Sequence, residues 1–164
     1  MPIFSVDPGN EKSAFVELDD KLRPIKCGKI DNHELLALIS TISEFQEDKF
    51  DFVIEMVASY GMAVGKTTFE TVFWIGRFFE AAYGFKIRYR IYRKDEKINL
   101  CNSMKAKDSN IRQALIDRFG VVGTKKNPGF FYGFAKDIWS AMAVGVTYHD
   151  MYLVTEKVNK IYNK

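Results

Sequence analysis

Asp7, Glu55 and Asp137 each stand where an apolar run meets a turn or opens a helix. Carboxylates placed in this way can gather into a nest of hard oxygen ligands. Ile3-Phe4-Ser5-Val6-Asp7-Pro8-Gly9 reads as a buried strand that ends on an acid and is stopped at once by turn residues. Phe52-Val53-Ile54-Glu55 repeats the arrangement. Asp137 heads the apolar helical pattern Ile138-Trp139-Ser140-Ala141-Met142-Ala143-Val144 and falls in its first turn, where the helix dipole favours negative charge. Oxygen ligands of this kind suit magnesium or manganese, whereas zinc and copper prefer nitrogen and sulfur. Two such ions roughly 4 Å apart activate a water and stabilise the departing oxygen of a phosphodiester. Singly, each acid says little, since an aspartate before Pro-Gly is commonly turn chemistry. The joint pattern is what points to a metal-dependent hydrolase.

The elements that must bring these acids together follow from periodicity and turn signals. Residues 2–7, 13–18 and 23–30 read as three antiparallel strands, with turns at Gly9-Asn10 and Asp19-Asp20-Lys21. Asn32 is the expected N-cap of a helix running to about Gln46. Residues 51–57 lack polar alternation until Glu55 and predict a central strand covered on both faces. A polar loop, 58–66, leads into a helix over 67–83 that is apolar around more than one stripe. One side of it must meet the sheet. The other either meets a second subunit or stays exposed. Residues 85–93 read as a strand, 94–107 as a basic connector, 109–119 as a short helix capped at Asp108 or Ser109, and 120–133 as a mobile glycine-rich loop. The last helix begins near Lys136 and keeps helical spacing through Met151, Val154, Val158 and Ile161. The first and fourth strands can then lie side by side in parallel, which places Asp7 and Glu55 at one carboxyl edge of the sheet, where ligands favour binding.

Length and composition are those of one α/β domain: 164 residues, 47% hydrophobic. No uncharged apolar stretch is long enough for a membrane span and no signal segment precedes the first strand, so a soluble cytoplasmic protein without membrane association is expected. Cys27 and Cys101 lack metal-site spacing and read as reduced thiols. Net charge is only +3, but residues 86–107 hold eight basic side chains against Asp95 and Glu96, or +6, leaving the remainder at −3. Such a stripe is either a solvated strand edge or a surface for a polyanion. Arg88 and Arg90 share one face of their strand, and their forks suit phosphate oxygens. Gly61-Met62-Ala63-Val64-Gly65-Lys66-Thr67 has three residues between its glycines where a phosphate loop needs four, which argues against a nucleotide cofactor.

Ile3-Phe4-Ser5-Val6-Asp7-Pro8-Gly9-Asn10 resembles the opening strand of the RuvC-like Holliday junction resolvases, and Phe52-Val53-Ile54-Glu55-Met56-Val57 resembles their second catalytic strand. Ile75-Gly76-Arg77 is similar to the glycine-bearing helix that follows, and Lys105-Ala106-Lys107 to a lysine-containing segment. Asp137-Ile138-Trp139-Ser140-Ala141-Met142-Ala143-Val144-Gly145-Val146-Thr147-Tyr148 is similar to the family's Asp-x-x-Asp-Ala-Leu-Ala-x-Ala-x-x-His helix. The similarity runs in order over about residues 2–150, and short phage-encoded members are the closest type. It implies an RNase H-like fold and a homodimeric crossover junction endonuclease acting on four-way and branched DNA in recombination and repair. By the same resemblance Asp7, Glu55, Asp137 and Ser140 hold two magnesium ions, with manganese as a substitute. Lys107 and Lys66 contact phosphate or steady charge on it. Tyr60 and Met62, in the loop after Glu55, either stack on unpaired bases or face solvent. Arg77, Arg88, Arg90, Lys105, Lys125 and Lys126 complete the expected DNA contacts.

Two departures from the pattern carry consequences. Ser140 stands where an aspartate is called for, and a neutral hydroxyl holds at best a metal-bound water. Tyr148 replaces the terminal histidine, and His149 one position on is turned by about 100° around the helix, so it reads as a surface residue; His33 reads as structural. The alternative to a nuclease is therefore a branched-DNA-binding protein of the same fold with weak or absent catalysis.

Overall fold

A computed structural model describes residues 1–154. Five strands form one sheet: β1 (Ile3–Asp7), β2 (Lys12–Leu18), β3 (Pro24–Asp31), β4 (Asp51–Met56) and β5 (Ile87–Tyr92), in the spatial order β3-β2-β1-β4-β5. The first three run antiparallel, and β4 and β5 run parallel to β1. The helices are α1 (Asn32–Phe45), α2 (Lys66–Ala81), α3 (Arg93–Cys101), α4 (Asp108–Phe119) and α5 (Asp137–Tyr148). This is the expected mixed sheet, with β4 central as its unbroken apolar run requires. No helix among the described residues is long and apolar enough to cross a membrane. Cys27 and Cys101 are free thiols.

Strand alternation divides the core between the two faces of the sheet. Phe4 and Val6 of β1, Phe15 of β2, and Phe52 and Ile54 of β4 pack against Leu35, Ile39 and Ile42 of α1 and Ile75 and Phe78 of α2. Their neighbours Ile3, Ala14, Val16, Val53 and Ile91 pack on the opposite face, against Met142, Val146 and other residues of α5. Gly145 sets how closely α5 approaches: a Cβ there would lie 2.7 Å from Leu18 Cδ1 and 3.0 Å from Ser5 Oγ. Asp7 and Glu55 have the parity of Ile3 and Val53 and so belong to the α5 face.

Four sequence expectations change. The stretch after β5 is the helix α3 rather than a connector. Its apolar spacing is sparse, and what builds it is local: the Asp95 carboxylate accepts from the Tyr92 N–H at 3.1 Å, closing the first turn. The α1 cap is Asp31, whose side chain accepts from the His33 N–H, while Asn32 begins the helix and is buried. The 120–133 segment is ordered by a bridge between Gly123 and Pro128 and by Phe131, which is fully buried beside Trp139 and Phe134. The last helix changes to π-helical winding over His149–Val154, and Val158 and Ile161 lie outside the described residues.

Candidate acidic centre and its resident cations

Parallel pairing of β1 with β4 sets Ser5 beside Val53 and Val6 beside Ile54, so the next residues, Asp7 and Glu55, fall side by side at the carboxyl edge. The chain after Asp7 is clamped. Ser13 Oγ accepts from the Gly9 N–H at 3.1 Å and donates to Asn32 Oδ1 at 2.6 Å, and Asn32 Nδ2 donates to the Gly9 carbonyl at 2.9 Å. Gly9 is required there, because a Cβ would come within 2.3 Å of the Lys12 carbonyl oxygen. The strand-terminal Asp-Pro-Gly is thus both turn chemistry and a fixed mount for a carboxylate.

Electrostatics show which acids converge. Burial first, then the charges of Glu55 and Asp137, push the Asp7 carboxyl up to about 8, against the pull of Arg93 and Lys29. Burial also raises Glu55, while Arg93 and a hydrogen bond shared with Asp7 draw it back. A fourth acid, which the sequence reading missed, joins them. Glu96 of α3 is fully buried, and burial together with Glu55 and Asp7 holds it well above the usual carboxylate range. Its Oε1 has no hydrogen-bond partner among the described residues.

Arg93 answers this concentration of charge. Its Nη1 lies 2.6 Å from Glu96 Oε2 and 3.9 Å from Glu55 Oε2, and its Nη2 bonds Asp108 at the start of α4. Burial disfavours its charged form, but Glu96, Glu55 and Asp108 outweigh that effect and keep it charged. Lys29, on β3, bonds Asp137. Asp137 opens α5 directly after Lys136, a non-glycine residue at φ 36°. Two cations of the chain itself therefore hold the acids.

This settles how far the donor set fits a divalent ion. In kind it fits, being made of carboxylates with one unpartnered oxygen. In arrangement the expected cluster is not assembled: among the described residues no group of three or more acidic, histidine or cysteine side chains stands ready to hold a metal. The reason is physical, since Arg93 and Lys29 occupy the electrostatic role that an ion would take. Ser140, one turn along α5 from Asp137, lines the same cavity.

The remaining candidates are dispersed. Lys107 immediately precedes α4 and, like Lys105, is exposed. Tyr60 and Met62 are solvent-facing in the turn before α2, and Lys66 opens α2 with its ammonium 3.5 Å from Glu70. Arg77 lies on Trp74, 4.3 Å from the ring centre. Arg88 and Arg90 lie over Phe79 at 5.2 and 5.6 Å, on the α2 face of the edge strand rather than with the acids. Lys125 and Lys126 sit exposed in the Thr124–Asn127 turn. His149 is half-buried against Asp150 rather than on the surface, and His33 meets Trp74 edge-on. Arg93 and Glu96 had one visible signal, an opposite-charge pair at i, i+3 in the first turn of a helix.

No protein-family model matches the chain, and no curated protein matches it. Among solved structures, Thermus thermophilus RuvC matches with 14% identity and a TM-score of 0.69 over 95% of this chain and 97% of that one. T. thermophilus RuvC in complex with Holliday junction substrate matches at 14% identity and a TM-score of 0.70, over 95% and 96%. Likeness at this identity is likeness of fold. The fold is the RNase H-like architecture of RuvC.

Proposed function

We propose that this protein binds four-way and other branched DNA and hydrolyses its phosphodiester bonds slowly, its own cations and Ser140 limiting the acidic centre. One observation carries the reading: Asp7, Glu55, Glu96 and Asp137 lie near enough to act on one another's charge, yet Arg93 and Lys29 pair with three of them. The shared fold, including the RuvC bound to its junction, supports branched DNA as the partner. Magnesium or manganese held by Asp7, Glu55 and Asp137 would supply an activated water and a stabilised leaving oxygen. The chain itself supplies the mount for Asp7, the buried anchor Glu96 that fixes Arg93, and the exposed lysines 105, 107, 125 and 126 for phosphate. Acting symmetrically on a junction requires two centres, and α2 offers a surface for a homodimer: Phe69 and Phe73 are each 64% exposed, with Val72 between them.

A labelled four-way junction tests this with magnesium, manganese or chelator present. The expected result is retardation under all three conditions and slow nicking with either metal. Absence of retardation would defeat the reading. Asp7→Asn should remove nicking while leaving junction affinity unchanged. A second reading, a junction endonuclease of full activity, is favoured by the Asp7 carboxyl itself, which burial and its acidic neighbours push up to about 8 and which a bound cation would draw back down. Rapid, complete resolution into nicked duplexes would decide for it.

A further inference from the structure

A cavity of about 760 Å³ lies between the N-terminal turns of α4 and α5. Asp137 and Arg93 form part of its wall, and so do two cations that the acidic centre does not use, Arg112 and Lys136. Arg112 lies on the ring of the buried Trp139, its guanidinium carbon 4.8 Å from the ring centre. Cation–π attraction holds the guanidinium over the ring. Arg23, Arg88, Arg93 and Arg118 each hold a carboxylate. Arg112 and Lys136 form no ion pair among the described residues. The acids in the same wall are already satisfied, Asp108 by Arg93 and Asp137 by Lys29. The wall thus holds three cations, Arg93, Arg112 and Lys136, against two carboxylates, Asp108 and Asp137, an excess of one positive charge.

We infer that this cavity is a phosphate subsite, in which Arg112 and Lys136 grip a backbone phosphate of the DNA strand neighbouring the one presented to the acids. The inference rests on the branched-DNA reading and deepens it. A fork that donates two parallel bonds beside a mobile ammonium matches a tetrahedral oxyanion. Ser109 and the α4 N-terminus line the same wall and add partial positive charge.

The test measures junction affinity in chelator between 50 and 200 mM salt, so that no cleavage intervenes. Arg112→Met keeps an apolar cover on Trp139, and Lys136→Gln removes only charge. Each is expected to reduce the slope of log affinity against log salt by about 0.9, and the double variant by about twice that. Arg112→Lys should restore part of the loss. A scan of single methylphosphonates across the central nucleotides should find one position that weakens the wild type and leaves the double variant unaffected. Unchanged slopes in variants of a wild type that binds junctions would overturn the subsite and leave the branched-DNA reading standing. A wild type with no preference for junction over duplex would defeat that reading, and the subsite with it. If Arg112→Met fails to fold by circular dichroism, an unchanged slope in Lys136→Gln alone overturns the subsite.

Discussion

The two faces of the sheet come from alternate residues of the same strands, yet the core of one is aromatic and aliphatic while the other buries carboxyl groups. On the α1/α2 face Phe4 stacks on Phe15 and Phe52, and Phe85 meets both Phe4 and Phe52 edge-on. On the α5 face, Ser5, Asp7, Glu55, Glu96 and Thr147 are buried or half-buried beside apolar neighbours. Glu96 Oε1 and Thr147 Oγ1 find no partner there among the described residues. Burying polar groups destabilises a fold, and buried like charges do so more strongly. The apolar core of the first face is what allows the other to carry that strain.

The largest effect expected from this division is on stability. Phe52→Ala empties a site with no solvent exposure and should cost about 3–5 kcal/mol by urea denaturation. A loss under about 1 kcal/mol would mean the aromatic face is not the main support.

Next come changes that alter the charged face alone. Ser140→Asp adds a carboxylate beside Asp137, and nicking with magnesium is expected to rise on the order of ten-fold, about 1.4 kcal/mol in barrier. No rise would mean Glu96 already fills the missing place. Lys29→Met frees Asp137 from its resident cation, so half-saturation by magnesium should move roughly three- to ten-fold lower, with stability nearly unchanged because the pair is solvent-facing. Isothermal titration measures this without turnover. A higher magnesium requirement would show that Lys29 positions Asp137 rather than competing for it.

The fold was legible where hydrophobic period and turn chemistry agree. The Asp-Pro-Gly stop, the unbroken run at Phe52 and the helical spacing after Asp137 all specify element type locally, and they located three of the four converging acids. What escaped was set by tertiary charge. Glu96 lies in a segment whose sequence is basic and polar, so nothing local marks it as buried; it is buried because Arg93 beside it satisfies one oxygen and α3 packs against α4 and α5. The same limit applies to Lys29 and Asp137, 108 positions apart, whose pairing no spacing rule contains. Phe131 was read into a mobile loop because glycines surround it, whereas its ring anchors that loop on Trp139.

The finest test of the comparison is the pH dependence of stability. Asp7 titrates near 3.8 in an unfolded chain and at about 8 when folded. Below about 3.8 both states carry the proton and Asp7 contributes no slope. Between the two values only the folded state keeps it, so stability falls as pH rises, by up to about 1.4 kcal/mol per unit for one such group, and the decline ends above about 8. Glu55 and Glu96 are raised as well and act in the same sense. Asp7→Asn removes one of these protons and takes a negative neighbour from the other two acids. Its stability, measured by urea denaturation in chelator from pH 5 to 8, should therefore decline less steeply than that of the wild type. Phe52→Ala should lower the whole curve and keep its slope, because the carboxyl groups that burial shifts lie on the opposite face. Parallel curves for wild type and Asp7→Asn would mean that Asp7 ionises as an ordinary surface acid, and that the repulsion a metal would relieve is not there.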